Sequence, residues 1–233
     1  MRWYRFVVSD DFNKKYIRII DPVILNQWQK VLRFKSGDEV ILVNGQNKEA
    51  ITKIISINND FAEGEIIEVR DNQNEPQIET ILYCAILKNE NFEWVVQKAT
   101  EIGVKEIVPL ITKRTIKLNL RKDRLEKICQ EATEQSGRGM VPIINNPIKF
   151  EEVVRFAKNN DVNIFCDPNG EIFHKNIIKS KSKIGIFIGP EGGWDEDEMF
   201  IAKHNDFKII SLGKLILRAE TAAIIASYLV INS

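Results

Sequence analysis

Twice in close succession near its C-terminus the chain runs from an apolar, strand-like stretch through a glycine-bearing loop into a helix. Ile184–Ile188 leads through Ile188-Gly-Pro-Glu-Gly-Gly193 toward a helix over Glu196–His204. Lys208–Leu212 leads through Leu212-Gly-Lys-Leu-Ile-Leu-Arg-Ala-Glu-Thr-Ala222 into a helix over Ala219–Val230. That order constrains the fold to layered α/β structure, in which ligands sit at the carboxyl ends of the strands.

A glycine loop that opens a helix usually binds phosphate through bare N–H groups and the helix dipole. Here Trp194-Asp-Glu-Asp-Glu198 fills the next turn with carboxylates, and Asp195 with Glu198 has the spacing of a capping box. Those donors are already taken, and the charge repels an anion. The chain has no Gly-x-x-x-x-Gly-Lys-Ser/Thr run and no Gly-x-Gly-x-x-Gly after a strand, which argues against nucleoside triphosphates and dinucleotides. A neutral or cationic ligand fits better; the alternative is that the glycines only make a tight turn. In the second loop Leu215-Ile-Leu217 reads as buried, with Arg218 placed just before the helix. A guanidinium there opposes the dipole, which points to a purpose other than helix stability. Its alternative is an ion pair with Glu220, Glu191 or another first-turn acid.

Residues 1–70 read as mainly β, with strands over Asp38–Val43, Glu49–Ile57 and Phe61–Val69 and a helix over Pro22–Leu32 that begins at its proline. The polar segment 71–77 reads as a linker. From residue 78 to 233 strand and helix alternate: strands at Ile78–Leu87, Glu106–Thr112, Val141–Asn145 and Asn163–Asp167, helices at Asn91–Ile102, Leu118–Gln135 and Glu151–Asn159. Alternation predicts a mostly parallel sheet covered on both faces. The helix Ala219–Val230 is apolar almost all round and must be enclosed by the core or by a second subunit.

No apolar run approaches the ~20 residues that cross a membrane. Cys84, Cys129 and Cys166 are few and scattered, so they read as reduced core thiols of a cytoplasmic protein, without a metal site. The 33 basic residues balance 33 acidic ones. Yet Lys113, Arg114, Lys117, Arg121, Lys122, Arg124 and Lys127 crowd one segment, as either a phosphate-binding surface or a solvated helix face. His174 and His204 are too few and too distant to anchor a catalytic scheme, and His204 reads as a helix-end cap.

The two loops together resemble those of the RsmE-type ribosomal RNA uridine methyltransferases, members of the SPOUT superfamily. The resemblance extends to Phe92-Glu-Trp-Val-Val-Gln-Lys-Ala-Thr-Glu-Ile-Gly-Val104, to Gln130-Glu-Ala-Thr-Glu-Gln-Ser-Gly-Arg138, and to Val31-Leu-Arg33 with Ser36-Gly-Asp38. It implies a trefoil-knotted α/β domain over 78–233, an RNA-binding PUA-like β-barrel over 1–70, and a homodimer. The implied reaction moves a methyl from S-adenosylmethionine to N3 of a uridine in small-subunit ribosomal RNA, on naked RNA or the assembled subunit, without a metal.

For that reaction Arg218 is expected to stabilise the developing charge or a nearby phosphate, and Glu191 or Glu220 to take the proton or orient the sulfonium, with water or hydroxide as the alternative proton acceptor. The cofactor is expected against Ile188, Gly189, Pro190, Glu191, Gly192 and Gly193 of the first loop. Ser211, Leu212, Gly213, Leu217, Arg218 and Thr221 of the second enclose it from the other side, with Phe165, Cys166 and Asp167 as a third wall. RNA contacts fall to Arg5, Arg33, Lys88, Lys98, Arg114 and Arg138, although Lys98 has Glu101 at ion-pair spacing. Leu215 stands where many members carry arginine, Gln27 and Trp28 where histidine is frequent, and Asn89-Glu90 where Gly-Asp is usual. The alternatives are a related enzyme acting on transfer RNA or ribose oxygen, and a catalytically inactive RNA-binding or ribosome-assembly protein.

Overall fold

The computed structural model describes residues 3–88, 90–116 and 119–233. Lys117, Leu118 and Asn89 lie outside the described residues. Two compact units divide the chain: Met1–Glu75 with Thr133–Val141, and Pro76–Ala132 with Pro142–Ser233.

The first unit is a five-stranded sheet of β1 (Arg5–Val7), β2 (Tyr16–Ile19), β3 (Glu39–Val43), β4 (Lys48–Ile57) and β5 (Ala62–Asp71). The order is β1-β3-β4-β5-β2, antiparallel except for β1 on β3. The expected barrel is a curled sheet, since no ladder joins β1 to β2 among the described residues. Side chains alternate across the pleat, so Ile17 and Ile19 of β2 are buried while Tyr16 and Arg18 are exposed. They meet Phe6, Leu42, Ile54 and Trp28 in one apolar core, with the Phe6 and Trp28 rings edge to face at 5.3 Å. The expected helix from Pro22 is shorter: α1 (Pro22–Asn26) opens on Asp21, whose carboxylate accepts from Val23 N at 2.7 Å. It then widens into a π turn over Gln27–Val31 and stops at Arg33, whose φ is +55°.

Residues 71–77 are not a free linker, and 133–141 depart from the expected second domain. The carboxylate of Glu75 accepts from Gly139 N at 2.9 Å, Met140 N at 3.0 Å and Arg138 Nη2 at 2.9 Å. Asn72 and Asn74 both donate to the carbonyl of Gly137, at 3.0 and 2.9 Å. A Cβ on Gly139 would lie 2.4 Å from that of Asn72, so only glycine allows this approach. These are long-range polar contacts, invisible to periodicity.

The second unit contains β6 (Glu79–Ala85), α2 (Asn91–Ile102), β7 (Glu106–Ile111), α3 (Lys122–Ser136), β8 (Ile143–Ile144), β9 (Ile148–Lys149) and α4 (Phe150–Ala157). The last turn of α3, from Thr133, belongs to the first unit. Then come β10 (Val162–Ile172), β11 (Lys183–Ile188), α5 (Glu196–His204), β12 (Lys208–Ser211) and α6 (Ala219–Ile231). Every recorded pairing is parallel, in the order β12-β10-β11-β6-β7-β8, with β9 also on β7. Ile81 and Tyr83 of β6 pack among Phe150, Val153 and Ala202 from α4 and α5. Leu82 and Cys84, on the other face, are equally buried; α6 packs against β6 and β11, and α2 packs against α6. Both faces are covered, as a parallel sheet requires. α2 ends at Gly103 with φ +113°, a left-handed cap that spares a Cβ penalty.

β10 outruns its expected end at Asp167. Cys166 and Glu171 both register with Ile210, so Asp167–Gly170 bulge out of the ladder. Gly170 returns the chain to β12 so closely that a Cβ would lie 2.6 Å from Ile210 N.

Candidate active site

The carboxyl ends of β10, β11 and β12 converge on a cavity of about 480 Å³. Since β11 runs between β10 and β6, while β12 lies beyond β10, both glycine loops open on this one crevice. From the first loop Ile188, Gly189, Pro190, Glu191 and Gly193 line it. The second contributes Ser211, Leu212, Leu217 and Arg218, and the β10 bulge contributes Cys166 and Asp167. Glu220 also lines it, so the three residues expected to carry chemistry share one cavity.

Four expected contacts lie outside the lining. Phe165 is fully buried in the aromatic core beneath, stacked on Trp194 at 4.2 Å. The carbonyl of Gly192 turns toward Arg114, whose Nη1 donates to it at 2.8 Å. Gly213 and Thr221 complete the second loop and the first turn of α6 without lining the cavity. Leu215 and Ile216 line it yet are 81% and 85% exposed, so the segment expected to be buried lies open in the single chain. Pro168, which follows Asp167 in the expected third wall, also lines the cavity, whereas Asn91, Trp194, Ile210, Ala219 and Ala222 were not anticipated. A signal for Trp194 did exist, as a large apolar residue between Gly193 and the acidic turn.

Trp194 explains one glycine. Its indole N–H donates to the carbonyl of Cys166 at 2.9 Å, tying the first loop to β10. A Cβ on Gly189 would lie 3.0–3.2 Å from the Trp194 ring. Gly189 therefore lets the Trp194 ring pack closely, while Gly193 is favoured by its φ of +72°. The expected capping box is present: Asp195 accepts from Asp197 N, and Glu198 accepts from Asp195 N at 2.9 Å. Glu198, fully buried, also accepts from Lys113 N at 2.9 Å. Lys113 pairs with Asp195 and Asp197; it holds the Asp195 carboxyl below its ordinary value, and the two carboxylates, Asp197 first, raise Lys113.

Of the three charged candidates, Glu191 is engaged: Oε1 accepts from the backbone N–H of Lys88 at 2.9 Å, holding the glycine loop to the β6–α2 turn. Arg218 caps α6 without a side-chain capping bond and forms no ion pair among the described residues, so the expected alternative is not what the structure shows. Glu220 is 6% exposed and likewise forms neither hydrogen bond nor ion pair among the described residues. Cys166 is partly exposed at the cavity instead of buried in the core; burial of the thiol, then Asp167, pushes it up to about 12, so it stays neutral.

The expected RNA contacts are dispersed and mostly occupied. Arg138 is 3% exposed and committed to Glu75, which makes it an anchor of the first unit instead of a surface cation. Arg5 lies 3.9 Å from the buried carboxylate of Glu49, Lys98 pairs with Glu101 at 2.8 Å, and Arg114 lies 3.6 Å from Asp195. Lys88 and Arg33 are exposed. The described cations of the basic segment are paired as well: Arg121 with Asp123, Lys122 with Glu126, Arg124 with Glu93 and Lys127 with Glu131. Among the described residues no helix is long and apolar enough to cross a membrane, and no cluster of acidic, histidine or cysteine side chains is grouped to hold a metal.

The cavity has the size of a small-molecule site, ~300–1,000 Å³. Its backbone loops, apolar walls, unpaired guanidinium and buried carboxylate suit an organic ligand that carries positive charge. The RNA methyltransferase domain family matches residues 73–231, and the RNA methyltransferase PUA domain family matches 29–67. The ribosomal RNA small subunit methyltransferase E of Mesomycoplasma hyopneumoniae is 35% identical over 226 residues, which cover 95% of this chain and 96% of the relative. The crystal structure of that enzyme type from Neisseria gonorrhoeae, bound to S-adenosyl methionine, gives a TM-score of 0.89 at 28% identity, covering 97% of this chain and 95% of that one. A Legionella pneumophila structure described as a methyltransferase in complex with the cofactor SAM gives 0.89 at 28% identity, over 99% and 97% of the two chains. With both units matched and nearly the whole length shared, the chain belongs to the RNA methyltransferase family that includes the ribosomal RNA small subunit methyltransferase E proteins.

Proposed function

We propose that the chain is an S-adenosylmethionine-dependent methyltransferase acting on N3 of a uridine in small-subunit ribosomal RNA. The observation that carries this reading is the shared cavity of the two glycine loops, with Arg218 unpaired at its edge. When bound, the donor supplies an electrophilic methyl on a sulfonium: the S–CH3 bond breaks with its electrons left on sulfur, N3–CH3 forms, and the imide proton leaves. Negative charge then spreads over the uracil oxygens. Arg218, aided by the uncapped N-terminus of α6, donates to that charge. A guanidinium does not lose its proton, so it is no base. Glu191 positions the loop through Lys88 N, and water takes the proton. The trefoil knot that the resemblance implies belongs to the same proposal.

Labelled methyl transfer to unmodified small subunits, followed by nucleoside mass spectrometry, tests the reading. N3-methyluridine is the expected product. Another methylated nucleoside moves the activity to transfer RNA or ribose oxygen, and absence of both transfer and donor binding favours an RNA-binding protein.

For RNA, the first unit offers what the segment 113–127 does not. Lys14, Arg18, Lys30, Arg33 and Lys35 form no ion pairs among the described residues. Arg18 lies over the Phe61 ring at 3.7 Å, and Gln29 reaches the turn that Phe61 closes through the carbonyl of Asn58. An unpaired arginine on an aromatic ring beside further cations suits backbone and base contact together. Replacing both Arg18 and Arg33 by alanine is expected to weaken binding to a small-subunit RNA fragment by about tenfold. The slope of log affinity against log salt should also fall by roughly 1 to 1.5. Fluorescence anisotropy at several salt concentrations checks it, and an unchanged slope moves the RNA elsewhere.

The homodimer is part of the same proposal. α6, expected to be wholly enclosed, leaves Ile225 40% and Tyr228 57% exposed, on one face at i, i+3 spacing. Leu215 and Ile216 are likewise exposed apolar side chains. Replacing Ile225 and Tyr228 together by glutamate should convert a dimer to a monomer in analytical ultracentrifugation. A wild-type protein that sediments as a monomer at micromolar concentration contradicts this.

A further inference from the structure

We infer that Glu220 makes the cavity sense the charge on its ligand's sulfur, holding the sulfonium methyl donor in preference to the neutral thioether product. The inference rests on the methyl-donor reading above. Glu220 occupies the second position of α6, is 6% exposed, and lines the cavity. The other two lining carboxylates have work: Asp167 accepts from Asn169 N at 2.9 Å, and Glu191 accepts from Lys88 N at 2.9 Å. Glu220 has neither hydrogen bond nor ion pair among the described residues, and Arg218, two residues earlier, does not close on it.

A carboxylate that lines a cavity and has no protein partner attracts a cationic guest more than a neutral one. The lining holds Asp167, Glu191 and Glu220 against Arg218, so its charge favours a cationic guest. Burial raises the Cys84 thiol at the end of β6, and the charges of Glu191 and then Glu220 raise it further. The donor carries two cations, an ammonium and a sulfonium. Arg218 and Glu220 line one cavity, so a donor that offers its methyl beside Arg218 would bring its sulfonium into the cavity that Glu220 lines. After transfer the sulfur is neutral, the carboxylate loses its partner, and the product is held less well. The rival role is a first-turn acid that only complements the helix dipole.

Calorimetric titration of the wild type and Glu220→Gln with S-adenosylmethionine and with S-adenosylhomocysteine decides between them. The glutamine variant is expected to lower the ratio of donor to product affinity about 30-fold, with product affinity changed by about threefold or less. Glu220→Asp, which keeps the charge, should retain most of the wild-type ratio, and it serves as the test if the glutamine variant fails to fold. Equal weakening of both ligands assigns the carboxylate to the shared ammonium and overturns the inference. Unchanged affinities leave only the dipole role, which overturns it as well. A wild-type protein that binds neither ligand removes the methyl-donor reading itself.

Discussion

In Arg218→Ala, single-turnover methyl transfer is expected to fall about 100- to 1,000-fold, while affinity for S-adenosylmethionine changes by about threefold or less. The asymmetry follows from where Arg218 stands. It precedes α6, has no ion pair among the described residues, and lines the cavity from an exposed position. Interactions made only as charge develops on the uracil raise turnover without tightening the ground state. A structural arginine would show the opposite pattern, with loss of stability and a normal rate per folded molecule. Arg218→Lys should recover part of the rate, since it restores charge without the planar fork. Equal losses in donor affinity and in turnover would place Arg218 on the donor instead.

The alternation of strand and helix, the capped ends of α2 and α5, and the two glycine loops were all legible, because each depends on residues close in sequence. Asn91–Ile102 and Glu196–His204 match the expected helices end for end, since Gly103 and the Asp195–Glu198 box fix them locally. The failures are non-local. Nothing in the pattern of 133–141 announces that Glu75 and Asn72 will take its backbone groups. The bulge at Asp167–Gly170 depends on a register against β12 that no single strand contains. Arg138 reads as a surface cation until its partner Glu75 is known. Lys113 through Lys127 read as a basic stripe because the acids that neutralise Lys113, Asp195 and Asp197, arrive from a distant helix. In the site, the sequence reading left the glycines two uses, ligand approach or a tight turn, and the close approach of Gly189 to the Trp194 ring adds packing as a third.

The Trp194 ring carries the largest expected effect on stability. Trp194→Ala should destabilise the second unit by about 3–5 kcal/mol, as deletion of a buried aromatic does. The ring is 8% exposed, stacks on Phe165 at 4.2 Å and lies 5.3 Å from Phe150. Its N–H also holds the Cys166 carbonyl, so removal frees the first loop from β10. Donor affinity should therefore fall together with stability, although no atom used in methyl transfer has been touched. Trp194→Phe separates the two contributions: the ring remains, the carbonyl loses its donor, and a cost of about 1–3 kcal/mol is expected. Urea denaturation followed by far-ultraviolet circular dichroism, with calorimetric titration of S-adenosylmethionine, measures both quantities. The two units need not unfold together, so the transition to follow is the one that donor shifts. If Trp194→Ala weakened the donor without moving that transition, the ring would be a direct ligand contact. If it moved the transition while donor affinity held, Gly189 and Gly193 would shape the loop without Trp194. Loss of both, with partial recovery in the phenylalanine variant, is what a tryptophan that braces the glycine loop from below requires.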